Sequence, residues 1–367
     1  MLQPQTQQLR ILGVRGYTGS CFPEWMSSPT LKYLTSLQLV HCKCCLHLPH
    51  LGKLPSLKSL TVSNMSHVKY LDENSCDDGV AGGFICLEKL VLVKLPNLII
   101  LSRDDRENML PHLSQFQIIE CPKLLGLPCL PSLIDMSISG KCNTGLLSSI
   151  QKLVSLESLM ISGNEELTCF PDGMLINLNS LKKIGIYSLS ALESFPTEII
   201  NLSAVQEICI TECENLKSLT DEVLQGLHSL KRLSIVKYQK FNLSQSFQYL
   251  TCLEELVIQS CSEIEVLHES LQHMTSLQSL TLCDLPNLAS IPDWLGNLSL
   301  LQELNISQCP KLTCLPMSIQ CLTGLKRLSI YSCSELEKRC KEKTGDDWPK
   351  IAHIPCIVVK NIRMFYG

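Results

Sequence analysis

The sequence has no apolar run approaching the roughly 20 residues that a bilayer-spanning helix needs. Residues 1–20 have no apolar core of the secretory-signal type, so the chain is expected to be cytoplasmic. Basic residues do not outnumber acidic ones. The net charge of −4 leaves no general basic footprint, and nucleic acid is not expected as a partner. The usual carriers of chemistry are missing as well: there is no GxxxxGK[ST] phosphate loop, no HExxH and no GxSxG. Acid pairs such as Asp77-Asp78 and Asp346-Asp347 lie in polar stretches with no partnered base. The nearest thing to a metal set is His41, Cys42, Cys45, His47 and His50, where Cys42 and Cys45 have CxxC spacing but no second such pair exists. Asn-X-Ser sequences occur at Asn64, Asn201, Asn242, Asn297 and Asn305, but glycosylation there would require secretion. The expectation is a chain that is not an enzyme and that carries no catalytic residue, metal or cofactor of its own.

What the sequence does have is a leucine phrase that returns about every 24 residues. Leu301-Gln302-Glu303-Leu304-Asn305-Ile306-Ser307-Gln308-Cys309 is followed by Leu325-Lys326-Arg327-Leu328-Ser329-Ile330-Tyr331-Ser332-Cys333. Counting the first leucine as offset 0, apolar residues recur at offsets 0, 3 and 5, and Cys often stands at offset 8. Further copies begin at Leu277, Leu253, Leu230, Val205, Leu181 and Leu156, and less regular ones at Leu133, Leu113, Leu87, Leu57, Leu34 and Leu9. A period of 20–29 with this phrase is the leucine-rich-repeat signature. The predicted fold is an α/β repeat solenoid, a horseshoe with a parallel concave sheet and short irregular or single-turn helical segments on the convex side. Residues 1–338 would form the stack and residues 339–367 a C-terminal cap.

Offsets 2 to 6 are predicted to be a short strand. Offsets 3 and 5 then face the core and offsets 2, 4 and 6 face outward, because side chains alternate along a strand. Apolar-Pro pairs such as Phe195-Pro196, Ile291-Pro292 and Leu315-Pro316 mark the turn onto the convex side, since proline cannot continue a ladder. The chain has 21 cysteines. Those at offset 8 (Cys42, Cys121, Cys213, Cys261, Cys309 and Cys333) read as small buried apolar residues in the reduced state, not as disulfides. The repeat spacing lengthens at two places. One contains Asp72-Glu73-Asn74-Ser75-Cys76-Asp77-Asp78-Gly79, the other Arg103-Asp104-Asp105-Arg106-Glu107, and both are predicted to be exposed excursions.

The outward offsets name a candidate binding face for a protein partner. Its candidate contact residues are Lys183, Tyr187, Glu207, Arg232, Glu255, Glu303, Arg327 and Tyr331. Tyr and Arg are common interface anchors. An open sheet face of this length suits a protein more than a small molecule.

Three segments carry a family resemblance. The first is Leu2-Gln3-Pro4 with Gly16-Tyr17-Thr18-Gly19 and Phe22-Pro23-Glu24-Trp25. The second is Cys42 through Leu48-Pro49-His50-Leu51-Gly52-Lys53-Leu54-Pro55-Ser56-Leu57-Lys58, with Met65 and Val68-Lys69 following. The third is Cys340-Lys341-Glu342-Lys343-Thr344-Gly345-Asp346-Asp347-Trp348-Pro349-Lys350-Ile351-Ala352-His353-Ile354-Pro355. Together they resemble the leucine-rich-repeat region of plant intracellular immune receptors of the coiled-coil, nucleotide-binding class. The resemblance implies a part in plant defence: sensing a pathogen effector, or a host protein that it alters, and restraining a nucleotide switch. ADP or ATP would belong to an upstream nucleotide-binding domain of the same receptor. Residues 1–8 are too short to cap the first apolar rung, so the chain is expected to be the C-terminal part of a longer receptor. The alternative is a substrate-recruiting leucine-rich-repeat subunit of an F-box ubiquitin ligase. Leu219-Thr220-Asp221 hints at it, but no helical F-box segment fits before Leu9.

Overall fold

The computed structural model describes residues 8–28, 30–72, 83–102, 109–217, 219–238 and 243–360. The chain divides into two compact units, residues 1–181 and 182–367.

Unit 1 holds β1 (Ile11–Arg15), β2 (Ser36–Val40), β3 (Ser59–Ser63), β4 (Tyr70–Asp72), β5 (Lys89–Val93), β6 (Ile100–Ser102), β7 (Gln115–Ile119), β8 (Asp135–Ser139) and β9 (Ser158–Ser162). Its main sheet runs β1-β2-β3-β5-β7-β8-β9. All of these pairs are parallel, with equivalent residues side by side. Unit 2 holds β10 (Lys183–Tyr187), β11 (Glu207–Thr211), β12 (Arg232–Val236), β13 (Glu255–Gln259), β14 (Ser279–Cys283), β15 (Glu303–Ser307), β16 (Arg327–Tyr331) and β17 (Cys356–Lys360), which are parallel neighbours in that order. Each unit is thus a leucine-rich-repeat solenoid with a parallel sheet.

Every repeat start named from the sequence is followed by a strand at offsets 2 to 6. The register follows from burial. At offsets 3 and 5, pairs such as Ile208 and Ile210, Leu256 and Ile258, and Leu304 and Ile306 are at most 1% exposed. The residues between them are not. Stacked inward leucines exclude water along the whole column, at roughly 1.5–3 kcal/mol for each side chain.

On the other side of each unit the chain makes single turns. Five-residue 3-10 segments span Thr197–Asn201, Gln245–Tyr249, Glu269–His273, Asp293–Asn297 and Met317–Cys321. Pro196, Pro292 and Pro316 directly precede three of these, in extended conformation. Proline there ends the strand-like path and presets φ for the turn. Ile199, Leu202, Ile319 and Leu322 close the core beneath these turns. Two short helices also occur on this side, the first running directly into a 3-10 turn at Ser149–Lys152 and the second in place of one. In α1 (Thr144–Ser148) the Asn143 side chain accepts the Gly145 N–H, and in α2 (Asp221–Gly226) Thr220 accepts the Val223 N–H. Leu219-Thr220-Asp221 is therefore a helix start, with Thr220 as its cap. A second small sheet, β4 paired with β6, lies outside the main ladder.

At offset 7, just past each strand, the backbone turns left-handed. Gly16, Gly140 and Gly163 adopt positive φ there, as do His41, Asn64, Lys94, Glu120, Ser188, Glu212, Lys237, Ser260, Asp284, Gln308 and Ser332. Most of these residues would not choose that region on their own. The neighbouring repeat holds them in it: the Gln308 N–H donates to the Tyr331 carbonyl at 2.9 Å, and the Asp284 N–H to Ser307 at 2.8 Å. Gln308→Ile is therefore expected to destabilise the fold by about 1–2 kcal/mol, because a β-branched residue is strained at positive φ. Gln308→Gly should stay within about 1 kcal/mol of wild type, since relief of strain offsets the larger unfolded-chain entropy. Thermal melts of the two variants check the ordering.

The cysteines at offset 8 turn inward beneath this corner. Cys42, Cys121, Cys213, Cys261, Cys309 and Cys333 are at most 1% exposed. Their thiols donate to the carbonyl two residues back: Cys261 to Gln259 at 3.3 Å, Cys309 to Ser307 at 3.3 Å and Cys333 to Tyr331 at 3.4 Å. Burial pushes the Cys121 and Cys261 thiols up to about 11, so they stay protonated. Tyr238 occupies the same offset and is fully buried, its hydroxyl donating to the Lys217 carbonyl.

The C-terminal segment closes unit 2 with α3 (Ser334–Arg339), α4 (Trp348–Ile351) and β17, which pairs with β16. Ile351 and Ile354 are buried as a lid requires, whereas Trp348 is only half-buried. Asp346-Asp347 departs from its reading as an unpartnered acid pair. Asp347 is fully buried and meets Arg339 at 3.0 Å and Lys350 at 2.8 Å. It also accepts the Leu315 N–H at 2.9 Å, which ties the cap to the preceding repeats.

Candidate functional site

The alternation of the strands places the sequence-named residues of unit 2 in two outward columns. Offset 2 carries Lys183, Glu207, Arg232, Glu255, Ser279, Glu303 and Arg327, each beside the next in register. Offset 6 carries Tyr187 at one end and Tyr331 at the other.

The two ends of the first column differ. At the β10 end the charges satisfy one another. The Glu207 carboxylate accepts from Arg232 Nε at 3.1 Å and from Arg232 Nη2 at 2.8 Å, and Lys183 Nζ lies 3.2 Å away. Partial burial alone would raise the Glu207 carboxyl, but Arg232 and Lys183 hold it below the ordinary glutamate value. Arg232 is raised in turn, chiefly by its hydrogen bond to Glu207. Tyr187 lies back along its own strand, its ring over Gly185, so that a Cβ added to Gly185 would meet the ring at 2.4 Å. Burial and the nearby Cys209 thiol push the Tyr187 hydroxyl up to about 12. Gly185 is thereby covered, although its offset points outward.

At the β16 end, Glu303 and Arg327 are both exposed and sit side by side in register. Among the described residues neither forms an ion pair within 4 Å. Glu255 is half-buried and faces Arg232 without a direct bridge. Tyr331 is half-buried at the edge of the same patch, and Asn305 reaches Thr281 at 3.4 Å. Ser329, between Arg327 and Tyr331, is only 4% exposed, so this surface is made by the larger side chains around it. The structure therefore splits the sequence-named set into a self-satisfied group (Lys183, Glu207, Arg232) and a group with free hydrogen-bonding capacity (Glu303, Arg327). Strand alternation located both, but pairwise satisfaction shows only in three dimensions.

Within the zinc-like cluster the two cysteines are buried, whereas His41, His47 and His50 are exposed. Cys42 Sγ donates to Val40 at 3.5 Å, and Cys45 Sγ to the Gly19 carbonyl at 3.2 Å. Burial, reinforced by neighbouring Cys42, pushes the Cys45 thiol up to about 11. No group of three or more potential metal ligands occurs among the described residues. The acidic stretch at residues 73–79 and the Arg103 to Glu107 stretch lie outside the described residues, as does Asn242. No helix among the described residues is long and apolar enough to cross a membrane.

Comparisons with known proteins agree with this architecture. The family of R13L1/DRL21 LRRs matches residues 1–65. The family described as plant disease resistance protein RPS2-like, leucine-rich repeats, matches residues 221–337. Disease resistance protein RGA4 of Solanum bulbocastanum is 33% identical over 177 residues, covering 47% of this chain and 18% of that protein. Disease resistance RPP13-like protein 1 of Arabidopsis thaliana is 32% identical over 224 residues, covering 57% of this chain and 21% of that protein. The matched region thus spans about a fifth of the length of these relatives. Among solved structures, a leucine-rich-repeat protein of Leptospira interrogans superposes with a TM-score of 0.54 at 21% identity, with 96% of each chain covered. TLR13 in its complex with ssRNA13 gives 0.55 at 18% identity, covering 89% of this chain and 45% of that one. At such identities the structural likeness concerns the fold alone. Residues 1–65 and 221–337 thus match leucine-rich-repeat families of plant disease-resistance proteins, and the strands between them follow the same repeat.

Proposed function

We propose that the outward sheet face of unit 2 recognises a protein in the plant cytoplasm, either a pathogen effector or a host protein that an effector alters. In this reading the chain is a recognition module and not an enzyme. Recognition relieves a restraint that the repeats place on the nucleotide-binding domain of the same receptor, and ADP or ATP is held by that domain. The observation that carries the reading is the exposed, in-register Glu303 and Arg327, which form no ion pair among the described residues, on the same outward face as Tyr331. Groups of this kind, on a scaffold that loses little entropy on binding, are suited to an interface. The self-paired Lys183, Glu207 and Arg232 contribute less, since a partner must first break their contacts.

The test is quantitative co-purification from infected plant tissue, using the wild-type chain and a variant with Glu255→Lys, Glu303→Lys, Arg327→Glu and Tyr331→Ala. All four side chains lie outside the core, so the melting temperature should be unchanged. The expected result is a loss of about tenfold or more in a defined subset of bound proteins. An identical set at identical yield would rule out this face.

A further inference from the structure

Unit 1 carries a second surface of different character. A groove of about 510 Å³ runs along the corners that follow its strands. Its lining includes Lys43, Lys94, Lys141, Pro96, Pro122 and Glu120. These residues come from the repeats that begin at Leu34, Leu87, Leu113 and Leu133, with the Leu57 repeat between the first two. Four strand spacings of about 4.8 Å make the groove about 19 Å long, which matches roughly six residues of extended polypeptide.

Each ion pair at the groove joins one exposed lysine to one exposed glutamate, unlike the more buried Glu207, which two cations share. Lys94 and Glu120 are 3.7 Å apart, with side chains 52% and 55% exposed. Lys43 is exposed and has no ion pair among the described residues. Lys141 is held by Glu166 at 2.6 Å, both again well exposed. At the equivalent corner of unit 2, Lys237 and Ser188 close on Glu212 at 2.6 Å each. We propose that the unit 1 groove binds an extended acidic segment of a partner protein. Its carboxylates lie against Lys43, Lys94 and Lys141, and its apolar side chains rest on Pro96 and Pro122. Glu120 accepts a backbone N–H of the segment. Three lysines against one glutamate in the lining favour an acidic occupant. A single-stranded nucleic acid fits less well, because no aromatic side chain lines the groove for base stacking.

The site is built from unit 1 residues only, so it stands or falls independently of the unit 2 face. The probe is a fluorescently labelled octapeptide of alternating Glu and Leu, titrated into the whole chain at low salt, beside the same peptide with Gln for Glu and an oligouridine of equal length. The Glu peptide is expected to bind more tightly than both controls, and to weaken as salt is raised to about 0.3 M. Combining Lys43→Gln, Lys94→Gln and Lys141→Gln should raise its Kd about tenfold at an unchanged melting temperature, and the three Lys→Glu changes should raise it further. The unit 2 variant described above should bind the peptide as wild type does. Equal binding of the Glu and Gln peptides, tighter binding of the oligouridine, or an unaltered Kd in the lysine variants would overturn the proposal.

Discussion

Leu256→Ala is expected to lower the unfolding free energy by about 2–5 kcal/mol. Leu256 sits at an inward position of β13 and is fully buried. It lies in register between Leu233 and Leu280, so its side chain fills one rung of a continuous column. Truncation removes apolar contacts on both sides and leaves a cavity. The flanking strands cannot close that cavity without breaking ladder hydrogen bonds with their own neighbours. Because each repeat contacts only adjacent repeats, distant repacking brings no relief. Urea unfolding with an unchanged slope and a lower midpoint is the expected signature. Val257→Ala, one residue along and facing outward, should change stability by no more than about 0.5 kcal/mol. A wild-type midpoint for Leu256→Ala would mean that the register is wrong.

Asp347→Asn is expected to cost about 2–4 kcal/mol, although the change is nearly isosteric. The fully buried carboxylate receives Arg339, Lys350 and the Leu315 N–H together. An amide keeps the bond to Leu315 but leaves Lys350 facing a neutral group. Lys350 is 15% exposed and also donates to the Leu315 carbonyl at 2.6 Å. Burial by itself would raise the Asp347 carboxyl; the contacts from Arg339, Lys350 and Leu315 overcome it and hold the group below the ordinary aspartate value. The folded state therefore binds this proton less readily than the unfolded state. Its stabilisation is fully present above the unfolded value of about 3.9, and it is lost as pH falls through the lower folded value. The difference in melting temperature between wild type and Asp347→Asn should accordingly be constant near neutral pH and shrink below about pH 4. A difference that grows on acidification would contradict this account of the cap.

The strand register was legible because it depends on one simple quantity, the spacing of Leu, Ile and Val around each start. Every strand following a start from Leu9 to Leu325 falls at offsets 2 to 6 for that reason. The left-handed corner was less legible. Gly16, Gly140, Gly163 and Asn64 are residues that favour positive φ, but Lys94, Glu120 and Gln308 adopt it only because the next strand accepts their N–H. β17 was hidden because Cys356-Ile357-Val358-Val359-Lys360 is not preceded by the leucine phrase; it pairs with β16 on the strength of tertiary position. The pairing of Asp347 with Arg339 and Lys350 escaped the sequence for a related reason. Polar residues in a charged stretch look solvated until a helix and a turn fold them onto a repeat. At the candidate site, alternation gave the direction of Lys183, Glu207, Arg232, Glu255, Glu303 and Arg327. Which of them are satisfied internally depends on cross-strand distances that no linear pattern encodes.

The most direct test of the recognition face is site-specific photo-crosslinking to a partner recovered by co-purification. A benzophenone side chain would be placed in turn at Ser279, Asn305 and Arg327 on the outward sheet face, and at Ile200 and Met317, which are exposed on the turns opposite. The account predicts crosslinks from the sheet positions and none from Ile200 or Met317. Crosslinks confined to Ile200 and Met317 would contradict it.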